Sequence, residues 1–137
     1  MLKHQPVILI IDDDSIRHAQ FVKNNPDCVI HSVYTCDEAT AAIYDQHYDM
    51  ICFDHDLGYS EKNGYETSIP FAKTVRGLID TGGILESTIM LVHSSNPVGA
   101  QDILSYFART PNESFKVPWA WSIPKLFNTV LFAQERS

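Results

Sequence analysis

Three short clusters in this sequence carry side chains suited to phosphate chemistry. Asp12-Asp13-Asp14 ends one apolar run, Asp54-His55-Asp56 ends another, and His93-Ser94-Ser95-Asn96 ends a third. Carboxylates gathered at that density repel one another, and a hard divalent cation is the simplest relief. Mg²⁺ favours one or two carboxylates plus waters and phosphate oxygens. The candidate metal ligands are therefore Asp12, Asp13, Asp54 and Asp56, and the candidate cofactor is Mg²⁺ or Mn²⁺. A metal so held could neutralise a phosphoryl group during transfer or hydrolysis.

Hydrolysing a phosphate ester needs a base for the attacking water and an acid for the departing oxygen. Imidazole suits both, because it titrates near pH ~6.5. His55 and His93, on neighbouring strand ends, could take opposite roles, with Asp54 beside them as the third candidate catalytic group. Ser94 and Asn96 could hydrogen-bond phosphate oxygens. Gly99 permits close backbone approach, and a helix starting there offers free N–H groups to an anion. Arg17 could clamp a phosphate through two parallel hydrogen bonds.

Plainer roles compete with each of these. Asp14 is explained fully as a helix N-cap. Arg17 could pair with acids of its own cluster, and Asn96 before Pro97 is a standard turn residue. His55 could be a surface residue beside the site, and His93 could simply hold an aspartate at the sheet edge. A transition-metal site on either histidine lacks an HxxxH or HxH spacing to support it. Trp119 and Trp121 could stack on a ligand, yet only Lys116 and Lys125 lie near, so an ordinary core contact explains them better.

These clusters need elements to bring them together. Val7 to Ile11 is a continuous, β-branched apolar run, as expected of a strand buried on both faces. Further strands are expected at Cys28–Tyr34, Met50–Phe53 and Thr88–Val92. A fifth is expected within Phe115–Trp121, where Pro118 argues for an edge. Helices fit between them. One covers Ser15–Lys23, and a second opens on the Thr35/Glu38 capping pair. A third carries Pro70, Phe71, Val75 and Leu78 and closes at Gly82-Gly83. Ala100 to Ala108 repeats at helical spacing after the break at Asn96-Pro97-Val98-Gly99. A last helix follows Ser122 and Pro124, with Leu126, Phe127, Val130 and Leu131 on its apolar side. Gly58–Gly64 reads as a polar loop. Five strands alternating with five helices specify a doubly wound α/β fold with a five-stranded parallel sheet. Ligands of such sheets bind at the carboxyl ends of the strands, where all three clusters fall.

Composition narrows the classes. The chain has 137 residues, 10 Lys+Arg and 17 Asp+Glu, hence a net charge of −7. That length suits one domain, residues 1–137. The acidity argues against coating nucleic acid by charge alone. No stretch of ~18 apolar residues suggests a membrane span, and the N-terminus offers no signal peptide. Cys28, Cys36 and Cys52 show no CxxC spacing and read as reduced thiols of a cytoplasmic protein.

Together these residues resemble the receiver domain of two-component response regulators, from Val7 to Leu131. The likeness rests on Ile10-Ile11-Asp12-Asp13-Asp14, Phe53-Asp54 and Asn63-Gly64-Tyr65-Glu66. It implies the flavodoxin-like receiver fold, Mg²⁺ on Asp12 and Asp13, a phosphoacceptor at Asp54 and a metal ligand from residue 56. Two positions depart from that pattern. His93 stands where receivers carry Thr or Ser, and Ile123-Pro124 stands where they carry Lys-Pro. Phe53-Asp54-His55-Asp56-Leu57-Gly58, Val92 to Ala100 and Arg17 are instead similar to the cyclic-phosphate-processing receiver domains. That resemblance implies binding or processing of a cyclic phosphate of a nucleotide or an RNA end. The alternatives are a receiver phosphorylated on Asp54 that acts through a signalling partner, and a non-catalytic nucleotide or protein binder.

Overall fold

The computed structural model describes residues 5–117. Its elements in chain order are β1 (Val7–Ile11), α1 (Ser15–Asn24), β2 (Val29–Val33), α2 (Cys36–Asp45), β3 (Met50–Phe53), β4 (Asp56–Ser60), β5 (Gly64–Thr67), α3 (Ile69–Asp80), β6 (Ile89–Val92), α4 (Pro97–Ser105) and β7 (Ser114–Lys116). Five strands form one parallel sheet in the order β2-β1-β3-β6-β7. Strand order reverses between β1 and β3, which is where a doubly wound sheet opens a crevice for ligand.

The apolar runs explain the sheet. Residues 8–11, 50–53 and 89–92 are buried without exception, so these strands lack the polar alternation of a one-sided sheet. Their alternate residues feed two cores. Leu9, Ile11, Ile51, Phe53, Met90 and Val92 pack under α2, α3 and α4. Ile8, Ile10, Met50, Cys52, Ile89 and Leu91 pack with Phe21 of α1. Phe53 sits at the centre of the first core, its ring 5.6 Å from Phe71 and 5.5 Å from Phe107.

Local signals place the helix starts. The Asp14 carboxylate accepts from the amides of Ile16 and Arg17. Thr35 Oγ1 accepts from the Glu38 amide, while Glu38 accepts in return from the Tyr34 amide. Asn96 accepts from the Gly99 amide at 3.0 Å, so α4 starts at Pro97, ahead of the expected start at Gly99. The C-terminus of α3 turns at Gly82, whose φ is +81°, and the Gly83 amide donates back to Leu78 O.

One expectation is corrected. Gly58–Gly64 is no simple loop: β4 and β5 form an antiparallel hairpin outside the main sheet. Its register shifts between Asp56 and Tyr59, around Gly58 at φ +80°. That irregularity hides the period-2 pattern by which a strand is read. The fifth sheet strand is short and pairs with β6 alone among the described residues. Trp119, Trp121, Ile123-Pro124 and the last helix lie outside the described residues.

Phe53→Ala should destabilise the domain by about 3–5 kcal/mol, because the central cavity cannot close between strand and helices. Urea unfolding followed by circular dichroism measures this.

Candidate functional site

Backbone register builds the site. Ile11 pairs with Phe53 and Phe53 with Val92, so Asp12, Asp54 and His93 follow at one level of the sheet. The ladder is extended by the Asp54 amide donating to Ile11 O at 3.0 Å and the His93 amide to Phe53 O at 3.0 Å. Asp12, Asp13 and Asp54 each offer a carboxylate oxygen within 4.8 Å of the others. Asp12 and Asp54 are buried, and Asp13 is exposed.

A cation of the chain itself meets these acids. Arg17, one turn into α1, reaches Asp12 Oδ1 at 3.1 Å and Asp54 Oδ2 at 3.2 Å through the same Nη2. Asp13 Oδ1 and Asp14 Oδ2 lie 3.7 Å from its guanidinium. Of the two readings of Arg17, pairing with its own acids is the one the geometry displays. His93 lies beneath. Its ring is buried, edge-on to Phe21, and its Nε2 is 3.0 Å from Asp12 Oδ2. A carboxylate accepts only, so Nε2 carries the hydrogen. Burial lowers the His93 pKa against the pull of Asp12, so the ring is neutral at pH 7. Burial pushes the Asp12 carboxyl up, but the His93 hydrogen bond, the Asp14 amide and Arg17 outweigh it and hold the pKa low. Asp54 goes the other way. Burial, then Asp12 and Asp13, raise it to about 7 despite Arg17.

A second group lies nearer the surface. His55 Nδ1 is 3.0 Å from Asp56 Oδ1, and Asp56 Oδ2 accepts from Asn96 Nδ2 at 3.3 Å. Asn96 in turn caps α4 through Gly99 and donates its amide to Ser94 Oγ at 3.1 Å. Gly99 presses against the His55 ring so closely that a Cβ there would overlap it. The Asp56 carboxylate is thus committed to His55 and Asn96 and lies outside the three-aspartate cluster. The structure therefore sorts the expected residues in two. Asp12, Asp13, Asp54, Arg17 and His93 form the acidic cluster, while His55, Asp56, Ser94, Asn96 and Gly99 form a chain along the start of α4.

Sequence reading left out His18. It is buried, its Nε2 lies 2.7 Å from Asp12 O, and its ring stands 4.5 Å from Tyr34. The available signal was helical: His18 follows Asp14 by four residues, on the side of α1 that returns to the strand end. The hairpin was also missed. Gly58 lies directly over Asp13, where a Cβ would come within 2.9 Å of Oδ2.

The donor set fits a hard divalent cation, since it is three clustered carboxylates of which two are buried. Arg17 shares two of those carboxylates, so a cation entering the cluster must share them with the guanidinium or move it.

The model of the cyclic-phosphate processing receiver domain matches residues 7–109, well over half of the chain. The chain belongs to that family. The solved structures agree on the fold. A two-component response regulator from Clostridium difficile aligns at TM-score 0.66 and 17% identity, over 95% of this chain and 98% of that one. A CheY-like receiver domain from Methanospirillum hungatei aligns at 0.65 and 15%, over 98% and 100%. The response regulator TrrA from Thermotoga maritima, solved with Mg²⁺ and BeF, aligns at 0.63 and 15%, over 93% and 97%. No curated protein sequence matches the chain. This receiver domain carries the acidic cluster at the carboxyl edge of its sheet, and no helix among its described residues is long and apolar enough to cross a membrane.

Substitution of Asp54 and of Arg17 in chelator-treated protein tests this balance of charge. Asp54 binds a proton up to about pH 7 when folded but only to pH ~4 unfolded. The folded state thus holds the extra proton between those values, and stability falls as pH rises through that window. Asp54→Asn should match the wild type near pH 4 and exceed it at pH 8, by roughly 2–4 kcal/mol, in denaturant titrations. Arg17→Ala should lower Tm in chelator by leaving buried carboxylates without their cation. Added Mg²⁺ should raise the Tm of Arg17→Ala more than that of the wild type in a thermal-shift assay.

Proposed function

We propose that this receiver domain hydrolyses a cyclic phosphodiester of a nucleotide or RNA end, with His55 as the base. The observation that carries the reading is the His55–Asp56–Asn96 chain. An ordinary phosphoacceptor site has no need of an imidazole oriented by a carboxylate.

The chemistry follows from the tautomer. Asp56 accepts from Nδ1, which leaves the lone pair on Nε2. Nε2 makes no hydrogen bond among the described residues and is not sealed in the interior. It can take a proton from a water molecule attacking phosphorus. The new P–O bond forms as the bond to the ribose oxygen breaks, and that oxygen takes its proton from solvent at the open rim. Asp56 fixes the ring and stabilises the imidazolium, as the carboxylate does in other Asp–His pairs. Gly99 supports the ring face. Ser94 and Asn96 stand at the start of α4, where the helix dipole and the Val98 amide favour an anion, the Gly99 amide being taken up by Asn96. His93 acts through Asp12, which it orients from below. Arg17 offers positive charge to the phosphate oxygens when they reach the acids.

Asp12, Asp13 and one oxygen of Asp54 would hold the divalent cation. When bound, it supplies charge neutralisation at the phosphoryl oxygens.

A second reading has its own support. The fold and the three-aspartate cluster match those expected of a receiver phosphorylated on Asp54, and a signalling partner protein would then read the modification. Two measurements separate the readings. Incubation with 2′,3′- and 3′,5′-cyclic nucleotides and cyclic-ended RNA, with Mg²⁺ or Mn²⁺, should give phosphomonoester products. His55→Ala should lower the rate by ~10²–10⁴-fold, and Asp56→Asn should lower it less while shifting the pH profile. Turnover undiminished in His55→Ala would end the proposal. An acetyl-phosphate or beryllofluoride adduct on Asp54, with no turnover of any cyclic substrate, would favour the signalling receiver. Micromolar binding with neither product nor adduct would leave a non-catalytic binder.

A further inference from the structure

The β4–β5 hairpin carries two of the most exposed aromatic side chains among the described residues. Tyr59 is 65% exposed and Tyr65 is 88% exposed. They are register partners across the hairpin, with ring centroids 5.2 Å apart and planes 60° apart. Partners in an antiparallel pair share one face. Glu66 is on the opposite face, where its Oε1 accepts from the Cys36 amide at 3.1 Å. That contact, with Cys36 Sγ to Thr67 O at 3.2 Å, ties the hairpin to the start of α2 and turns the tyrosine face away from α2.

The hairpin is also fixed to the acidic cluster. Gly58, in the left-handed region, lies against Asp13 Oδ2 where only a residue without Cβ fits. Tyr59 is the next residue, about 3.8 Å further along the backbone. The register shift falls between Asp56 and Tyr59. Bulges of this kind re-aim the side chains that follow them and recur beside active sites. Leu57 points into the core, and two residues later the chain presents a tyrosine to solvent. The two strands pair only with each other among the described residues, so the main sheet does not need them. Lys62, at the turn, supplies a positive charge on the same hairpin.

We infer that Tyr59 and Tyr65 form the platform for the nucleobase of the nucleotide whose cyclic phosphate is held beside Asp13. The inference rests on the phosphodiesterase reading and adds to it a site for the base, so that a cyclic nucleoside phosphate or the last nucleotide of an RNA is preferred to a bare sugar phosphate. Stacking on an aromatic face accepts any base, because every base has a π-face, and is worth ~1–3 kcal/mol. The platform therefore sets affinity for the nucleotide class and leaves base identity open. The net charge of −7 favours a single terminal nucleotide over a long polyanion.

The test compares two probes on the full chain: adenosine 2′,3′-cyclic phosphate and the base-less ribose 2′,3′-cyclic phosphate. The wild type should bind the nucleotide ~5–150-fold more tightly, which is that stacking energy as a ratio. In Tyr59→Leu/Tyr65→Leu an apolar cross-strand pair is kept but the flat faces are lost. That variant should raise KM for the nucleotide to the base-less level and leave kcat and the base-less KM unchanged. Tyr65→Phe should behave as wild type. Equal losses on both probes would mean that the pair only holds the hairpin, and would overturn the inference. So would a nucleotide KM unmoved by the double variant. Binding is read separately by calorimetry. Tyrosine-dependent binding without turnover sinks the enzyme reading and keeps the platform, while tyrosine-independent turnover does the reverse. Binding of neither probe removes both.

Discussion

Three carboxylates are forced together here by backbone register. Asp12 and Asp54 follow registered partners on adjacent parallel strands, and Asp13 is next in the chain. Hydrogen bonds of the sheet fix these positions, so the acids cannot move apart without breaking the ladder. Burial makes the repulsion stronger, since fewer waters screen it. Much of the surrounding structure answers that constraint. Arg17 bridges two of the acids, His93 donates to Asp12 from below, the Asp14 amide donates to the same carboxylate, and His18 lies on the Asp12 carbonyl. Asp12 collects most of these partners and stays ionised. Asp54 collects fewer, and burial, with the repulsion of Asp12 and Asp13 added to it, raises its pKa.

The same strand end separates two jobs. Asp54 turns to the acidic cluster, whereas His55 turns to α4 and Asp56 opens the hairpin. One tripeptide thus reaches three different elements. The buried histidine and the half-buried histidine consequently differ in kind. His93 is sealed and committed to an aspartate, which suits holding a ligand in place. His55 keeps a ring nitrogen available and is oriented by a carboxylate on the other, which suits moving a proton. The linear sequence leads one to expect His55 and His93 to share the acid and base roles, and burial is what sets them apart.

The sheet was legible because it obeys the plainest rule. Fully apolar runs such as Val7–Ile11 and Met50–Phe53 can only be strands or buried helix pieces, and their length with the acidic stops decides for strands. The carboxyl-edge rule then located the acidic cluster without any knowledge of distance. Side-chain direction was less legible. Whether Asp56 joins the cluster or serves His55 depends on a turn of backbone that spacing does not encode. The hairpin was opaque for a definite reason. Gly58 at a bulge, a polar turn and two outward tyrosines leave too few alternating apolar positions to read as strands. His18 was readable in principle from its helical offset to Asp14, but only with α1 already placed on the sheet.

Charge imposes one more consequence on any phosphate chemistry at this edge. Among the described residues, Asp12, Asp13 and Asp54 against the Arg17 guanidinium leave two net negative charges when all are ionised. A phosphodiester anion approaching that cluster is repelled. Protonation of Asp54 halves the imbalance, and a divalent cation removes it. Cation and phosphate must then strengthen each other's binding, and by the same factor in both directions, because the coupling is a single free energy. The cluster that looks hostile to a phosphate is, for the same electrostatic reason, the place where a cation makes phosphate binding most sensitive to its presence. Arg17 sits at the centre of that coupling. Its guanidinium bridges two of the acids, and in the proposed reading it would face the phosphate oxygens once a cation took over the carboxylates.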